Sequence, residues 1–211
     1  MMRVGRIPYV NCYPVYGAID RKIVPLNADI VDGVPSQLNA MMADGKLDVS
    51  VVSAVEYARD SQRYLLLPDL AISCDGPVRS VVLFSKRPAS ELGGRRVLVS
   101  RSSMTSVALL ELLFEHVWDC KPTFVPSDAE MTDIARFGDE EHEARLVIGD
   151  AALRLGTALL DSSERDAVVS QLGYRYAFDL GAEWKRWTDL PFVFAVWVAQ
   201  RTTDTHRALD A

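Results

Sequence analysis

No CxxC pair, no HExxH helix and no GxGxxG turn occurs anywhere in this sequence. Its three cysteines, Cys12, Cys74 and Cys120, are too few and too scattered for a disulfide framework or a zinc site. They read as small buried hydrophobes. The three histidines, His116, His142 and His206, have no metal-ligand spacing. Nor do they suit a Ser-His-Asp set, because His116 lies deep in a long helical segment and His142 in the charge run Asp139–Glu143. The first residues, Met1–Pro8, lack the apolar centre of a signal peptide. No apolar run approaches the roughly 18 residues that a membrane span needs. These absences lead us to expect a soluble cytoplasmic protein that works without metal or nucleotide cofactor and away from membranes.

What is present is an ordinary globular mix. The 211 residues are 49% hydrophobic and 25% charged, enough to build one large domain or two small ones. A chain of this length buries about 70% of its unfolded surface and needs no covalent staple. Acidic residues outnumber basic ones by 29 to 23, giving a net charge of −6. That balance argues against a nucleic-acid partner, whose footprint is a basic face. It leaves room for a small anionic substrate, because a local pocket in an acidic protein is free to be positive.

The order of elements points to an α/β fold with a largely parallel sheet. Strands are expected at Val4–Ile7, Ile30–Val31, Asp48–Ser53, Tyr64–Leu67, Leu70–Ser73 and Val78–Phe84, with helices at Val15–Asp20, Pro35–Asp44 and Glu56–Gln62. A second unit begins at a Gly-Gly turn before strand Arg96–Ser100. The long helix that follows carries Val107, Leu110, Leu113, Phe114 and Val117 on one face. Further elements are strands Thr123–Val125 and Arg145–Ile148, helices Met131–Phe137 and Ala151–Leu160, a turn at Phe178–Gly181, a helix start at Glu183–Trp187 and strand Phe192–Ala199. The very apolar Phe192–Val198 has too few partners in a small second unit, so it is expected to return to the first. This gives a discontinuous domain I, residues 1–87 plus 181–211, and an inserted domain II, residues 88–180, joined near Ser85–Ser90. A ligand would then sit in the cleft between the two domains, where strand ends converge.

Polar residues gather at the strand-to-helix junctions: Asn11, Ser53, Ser80, the hydroxyl run Ser102, Ser103, Thr105 and Ser106, and Gly149-Asp150. The hydroxyl run opens the long helix, whose first N–H groups lack intrahelical partners. It serves either as plain N-capping or as an anion site for a carboxylate or phosphate. Asn11 is a ligand-directed amide or a turn former, Asp150 a base or a helix cap, and Asp179 a turn residue. Trp184, Trp187 and Trp197 read as core.

Six motifs in this order resemble a known family: "RIPYVNCYPVY", "VPSQLNAMMADGKLDVSVVSAVEYAR", "LLLPDLAISCDGPVRSVVLFS", "SRSSMTSVALLELL", "LVIGDAAL" and "FDLGAEWKRWTDLPFVFAVWV". Together they are similar to the chorismate dehydratases of the futalosine route to menaquinone, from about Arg3 to about Val198. The resemblance implies a type II periplasmic-binding-protein-like fold. It implies a cofactor-free hydro-lyase acting on chorismate, with Asn11 and Ser80 at the reacting ring. It also places Ser53, Ser103, Thr105, Ser106, Gly149 and Asp150 at the substrate. The proton is left either to Asp150 or to the substrate's own enolpyruvyl carboxylate, the latter preferred because the motifs supply neutral groups. Naphthoate-synthase relatives carry a histidine near Gly149-Asp150, which this sequence lacks. Members of the family continue past the last strand into further helices, so part of the first unit's cover is expected to be missing here. The competing readings are a non-catalytic binding protein for a small carboxylate and the ligand-sensing domain of a regulator, the latter lacking its DNA-binding unit here.

Overall fold

The structure, a computed structural model, describes residues 1–127, 141–160 and 172–202. The expected helix Met131–Phe137, the first two residues of the charge run and His206 lie outside the described residues. In chain order the strands are β1 (Met2–Arg6), β2 (Ala28–Asp32), β3 (Val49–Ser53), β4 (Tyr64–Cys74), β5 (Val81–Ser85), β6 (Arg96–Ser100), β7 (Thr123–Ser127), β8 (Ala144–Ile148), β9 (Tyr176–Asp179) and β10 (Phe192–Gln200). The helices are α1 (Tyr13–Asp20), α2 (Pro35–Ala43), α3 (Ala54–Arg59), α4 (Met104–His116), α5 (Gly149–Leu160) and α6 (Leu180–Thr188). The chain divides into one unit made of Met1–Ser73 with the segment from Val193, and another made of Cys74–Phe192.

The first unit is built on a sheet of order β2-β1-β3-β10-β4. β1 runs parallel to β2, with Met2 opposite Ala28 and Arg6 opposite Asp32, and parallel to β3. β10 pairs antiparallel with β3, Ala195 opposite Ser53. All five residues of β3 are buried, as an apolar run between two neighbours and covering helices requires. Leu38 and Met42 of α2 meet Val51, Val52, Tyr64 and Trp197 in the core. Trp197 donates its indole N–H to the Tyr16 hydroxyl at 3.1 Å, and Tyr16 donates to the Gly5 carbonyl at 3.2 Å. Gly5 is needed there: a Cβ would fall 2.3 Å from the Ser50 hydroxyl.

The second unit holds a sheet of order β7-β6-β8-β5-β9. β6 is parallel to β7 and β8, whereas β5 is antiparallel to both β8 and β9. Phe84, Val147, Ala152, Leu155 and Tyr174 form a buried cluster on it. The buried face of α4 is Thr105, Ser106, Leu109, Leu110, Leu113 and Phe114. Val117 lies beyond the helix end and is exposed, contrary to the expected stripe.

Three expectations are corrected. Both sheets are mixed rather than largely parallel, because strand direction depends on which edge the chain enters, and apolar patterning carries no record of that. The units meet at Cys74 and Phe192, not near residues 87 and 181, and β5 belongs to the second sheet. The polar stretch Lys86-Arg87 read as a linker is held inside that unit instead. Arg87 pairs with Glu143 at 2.6 Å and Lys86 donates to the His142 carbonyl at 2.7 Å. Finally, Phe178–Gly181 is the end of β9 and the start of α6 rather than a turn.

Candidate functional site

In the first unit two of the sequence candidates stand at the carboxyl end of the parallel strands. Asn11 lies on a 3-10 turn, Val10–Cys12, that follows β1 and is closed by the Cys12 amide donating to the Tyr9 carbonyl at 3.0 Å. Asn11 is exposed, and its side-chain amide makes no hydrogen bond among the described residues. Ser53 ends β3 and caps α3, accepting from the Glu56 amide at 3.2 Å. It is also clamped by Asn39: Asn39 Nδ2 donates to the Ser53 hydroxyl at 2.9 Å, and the Ser53 amide donates to Asn39 Oδ1 at 3.1 Å. Its O–H remains as the one donor to offer a ligand. Asn39 was missed in the sequence, where α2 read as plain core. The available signal was an amide next to Leu38 on the buried face of a helix, which needs a partner there.

The second unit brings the remaining candidates to one edge of its sheet. β6 and β8 end there, and β5, running the other way, begins there. Val81 faces Ile148 across the β5–β8 pair, which sets Ser80 beside Gly149, whose amide donates to the Ser80 carbonyl at 2.8 Å. Gly149 has a φ of +64°, the left-handed region that glycine enters without strain, and so turns the chain from β8 into α5. Asp150 stands in the first turn of α5. Ser80 is buried, yet its hydroxyl has no hydrogen-bond partner among the described residues.

The hydroxyl run at α4 divides its labour. Ser103 is the N-cap: its Oγ accepts from the Ser106 amide at 3.3 Å and donates to Ser106 Oγ at 2.7 Å. The Ser106 amide, expected to face an anion, is therefore engaged by the cap, and both Thr105 and Ser106 are buried. The Ser102 amide is taken by Ser100 Oγ at 3.0 Å.

Asp179 is the residue that sequence reasoning undervalued. One carboxylate oxygen accepts from the Val78 amide at 3.0 Å and from the Ala182 amide at 3.0 Å. The other accepts from the Arg79 amide at 2.6 Å. It thus caps α6 and fixes the loop that leads into Ser80. Its carboxylate is committed to three amides. Lys185 of α6 reaches the same loop through Asp75 at 3.0 Å. Burial, with Asp179 nearby, pushes the Cys74 thiol up. Trp197 is core as expected, but Trp187 is exposed and stacks on His116 at 5.3 Å.

Among the described residues no group of three or more His, Cys, Asp or Glu side chains is placed to hold a metal ion. No described helix is long and apolar enough to cross a membrane. The edge of the second sheet instead offers a lone hydroxyl, a helix N-terminus and an ordered loop, groups suited to binding and orienting an anion.

The family model described as menaquinone biosynthesis matches residues 2–211. The chain belongs to the menaquinone biosynthesis family. Among curated relatives of this family member, the chorismate dehydratase of Thermus thermophilus is 32% identical over 96% of this chain and 73% of its own length. A solved protein from Archaeoglobus fulgidus superposes with a TM-score of 0.70 at 23% identity, covering 98% of this chain and 71% of its own. The alkanesulfonate-binding protein from Xanthomonas axonopodis pv. citri, bound to MOPS, gives 0.55 at 14% identity, covering 97% and 67%. Those likenesses establish the fold: this menaquinone biosynthesis family member has the type II periplasmic-binding-protein-like architecture.

Proposed function

We propose that this chain is a chorismate dehydratase, a hydro-lyase converting chorismate to 3-[(1-carboxyvinyl)oxy]benzoate on the futalosine route to menaquinone. The observation that carries the reading is the 32% identity to the Thermus thermophilus chorismate dehydratase over 96% of the chain. The reaction removes the ring hydroxyl and the proton on the ether-bearing carbon as water. The ring becomes aromatic, so the step runs downhill and needs no cofactor. The protein has to hold one conformer and assist two departures.

In this reading Ser80 donates a hydrogen bond to the leaving hydroxyl, from a side chain without a hydrogen-bond partner among the described residues. Asn11 orients the ring through its amide. A substrate carboxylate is received at the N-terminal end of α4, where the helix dipole favours negative charge, with Ser103 capping that turn and Thr105 and Ser106 backing it from the buried side. Gly149 and Asp150 line the same sheet edge, and Ser53 offers its remaining O–H. The proton goes to the substrate's own enolpyruvyl carboxylate, which hangs from the carbon that loses it. A small-molecule substrate and a cytoplasmic setting complete the reading, and the cysteines, all of them thiols, fit a reducing compartment.

Incubating the purified protein with chorismate, while following the ultraviolet spectrum and the mass, tests this directly. Loss of one water with new aromatic absorption is the expected result. Chorismate that stays bound and unchanged would instead favour a binding protein, the role named for the Xanthomonas structure.

A further inference from the structure

Five non-glycine residues have a positive φ among the described residues: Lys22, Asp69, Arg79, Asp119 and Asp189. Lys22, Asp119 and Asp189 follow the ends of α1, α4 and α6, where left-handed backbone is a common way to stop a helix. Asp69 is an acidic residue of a type that tolerates this conformation. Arg79 has neither excuse. Its φ of +63° is imposed by Asp179, an acid 100 residues away in sequence, through the Arg79 amide at 2.6 Å and the Val78 amide at 3.0 Å. Strained backbone held by an over-determined contact is characteristic of ligand clamps.

Its side chain is one of several on exposed arginines, with those of Arg154 and Arg175, that make no hydrogen bond or ion pair among the described residues. Arg6, Arg87 and Arg186 all pair with carboxylates. The Arg79 guanidinium is exposed and makes no hydrogen bond or ion pair among the described residues, in a chain with more acids than bases. It directly precedes Ser80 at the sheet edge that carries Gly149, Asp150 and the start of α4. We propose that Arg79 is the carboxylate-binding, specificity-determining residue of this site, receiving one carboxylate of a dicarboxylate substrate, an assignment that rests on the chorismate reading. Its planar fork matches a carboxylate with two parallel hydrogen bonds, which a lysine does not reproduce. Asp179 acts as its positioning residue.

Arg79→Gln and Arg79→Lys, assayed with chorismate and titrated with isophthalate by calorimetry, test the assignment. Losing a charge-assisted hydrogen bond should raise KM roughly 10- to 100-fold in Arg79→Gln, with kcat much less affected and Arg79→Lys in between. Asp179→Asn should raise KM in the wild-type background and not in Arg79→Gln. Wild-type turnover with an unchanged KM in Arg79→Gln would overturn the Arg79 assignment and leave the dehydratase standing. If the wild type fails to dehydrate chorismate but binds isophthalate more tightly than Arg79→Gln does, the dehydratase reading falls and Arg79 stands as a carboxylate receptor. Wild-type protein that neither turns over chorismate nor binds isophthalate would overturn both.

Discussion

Ser80 and Asn11 present side chains without hydrogen-bond partners among the described residues, Ser80 from a buried position and Asn11 from an exposed one. If they act on the ring, Ser80→Ala and Asn11→Ala should each slow single-turnover dehydration about a hundredfold to a thousandfold, or roughly 3–4 kcal/mol. Asp150→Asn should be far milder, because the amide keeps the helix-start geometry and only basicity is lost. An Asp150→Asn protein that binds chorismate without turnover would move the base from substrate to protein. The positions of Ser80 and Gly149 at strand ends were legible in the sequence, because Ser80 stands where one apolar run starts and Gly149 where another stops. Asp179 was not: its partners Val78 and Arg79 lie a hundred residues earlier, and no local pattern announces such a contact. Ser103 shows the reverse. The surplus of hydroxyls suggested an open anion site, yet one of them caps the helix and two turn inward.

At the level of elements, α6 is the part that disciplines the loop ahead of β5. A Cβ on Gly181 would lie 2.6 Å from both the Cys74 sulfur and the Gly76 carbonyl oxygen. Gly181→Ala must therefore push α6 away from the loop that Asp179 holds. The expected cost is about 1–3 kcal/mol, read as a lower urea midpoint, together with a raised KM if Arg79 loses its place. In the first unit, Ser53→Ala removes the α3 cap and strips buried Asn39 of a partner. A loss of about 1–3 kcal/mol is expected by the same measurement, since an abandoned buried amide adds to the lost cap. Most elements were readable from the residues, β6 to its ends and α2 to within one residue. The exceptions are instructive. The single strand β4 was read as two pieces because Pro68-Asp69 looks like a break, while the strand runs on past it with a left-handed Asp69. The last two residues of β9 fall in the expected turn Phe178–Gly181, because Asp179 and Gly181 there carry turn chemistry while the strand itself is only four residues long.

For the whole molecule, buried tyrosines in both units, Tyr16 and Tyr64 in one and Tyr174 in the other, should govern the tolerance of alkali. Burial pushes Tyr174 up to about 12, and burial together with Glu56 does the same for Tyr64. A phenol whose folded pKa is raised keeps its contribution intact below its unfolded value of 10.0 and loses it as pH rises toward about 12. Urea midpoints should thus hold steady up to pH 10 and then fall, in step with phenolate absorbance. Midpoints unchanged up to pH 12 would show that neither ring is sealed as described. The interleaving of the chain also bears on how the protein is made. Ser53 waits for Ala195, so the ribosome must deliver about 140 further residues before the third strand of the first unit gains its second neighbour. The second unit is a single uninterrupted stretch and emerges entire in that interval. Domains generally fold as they are synthesised. Here the later-encoded unit is the one free to finish first, while the amino-terminal strands stand open as an edge that a chaperone or an aggregate could claim.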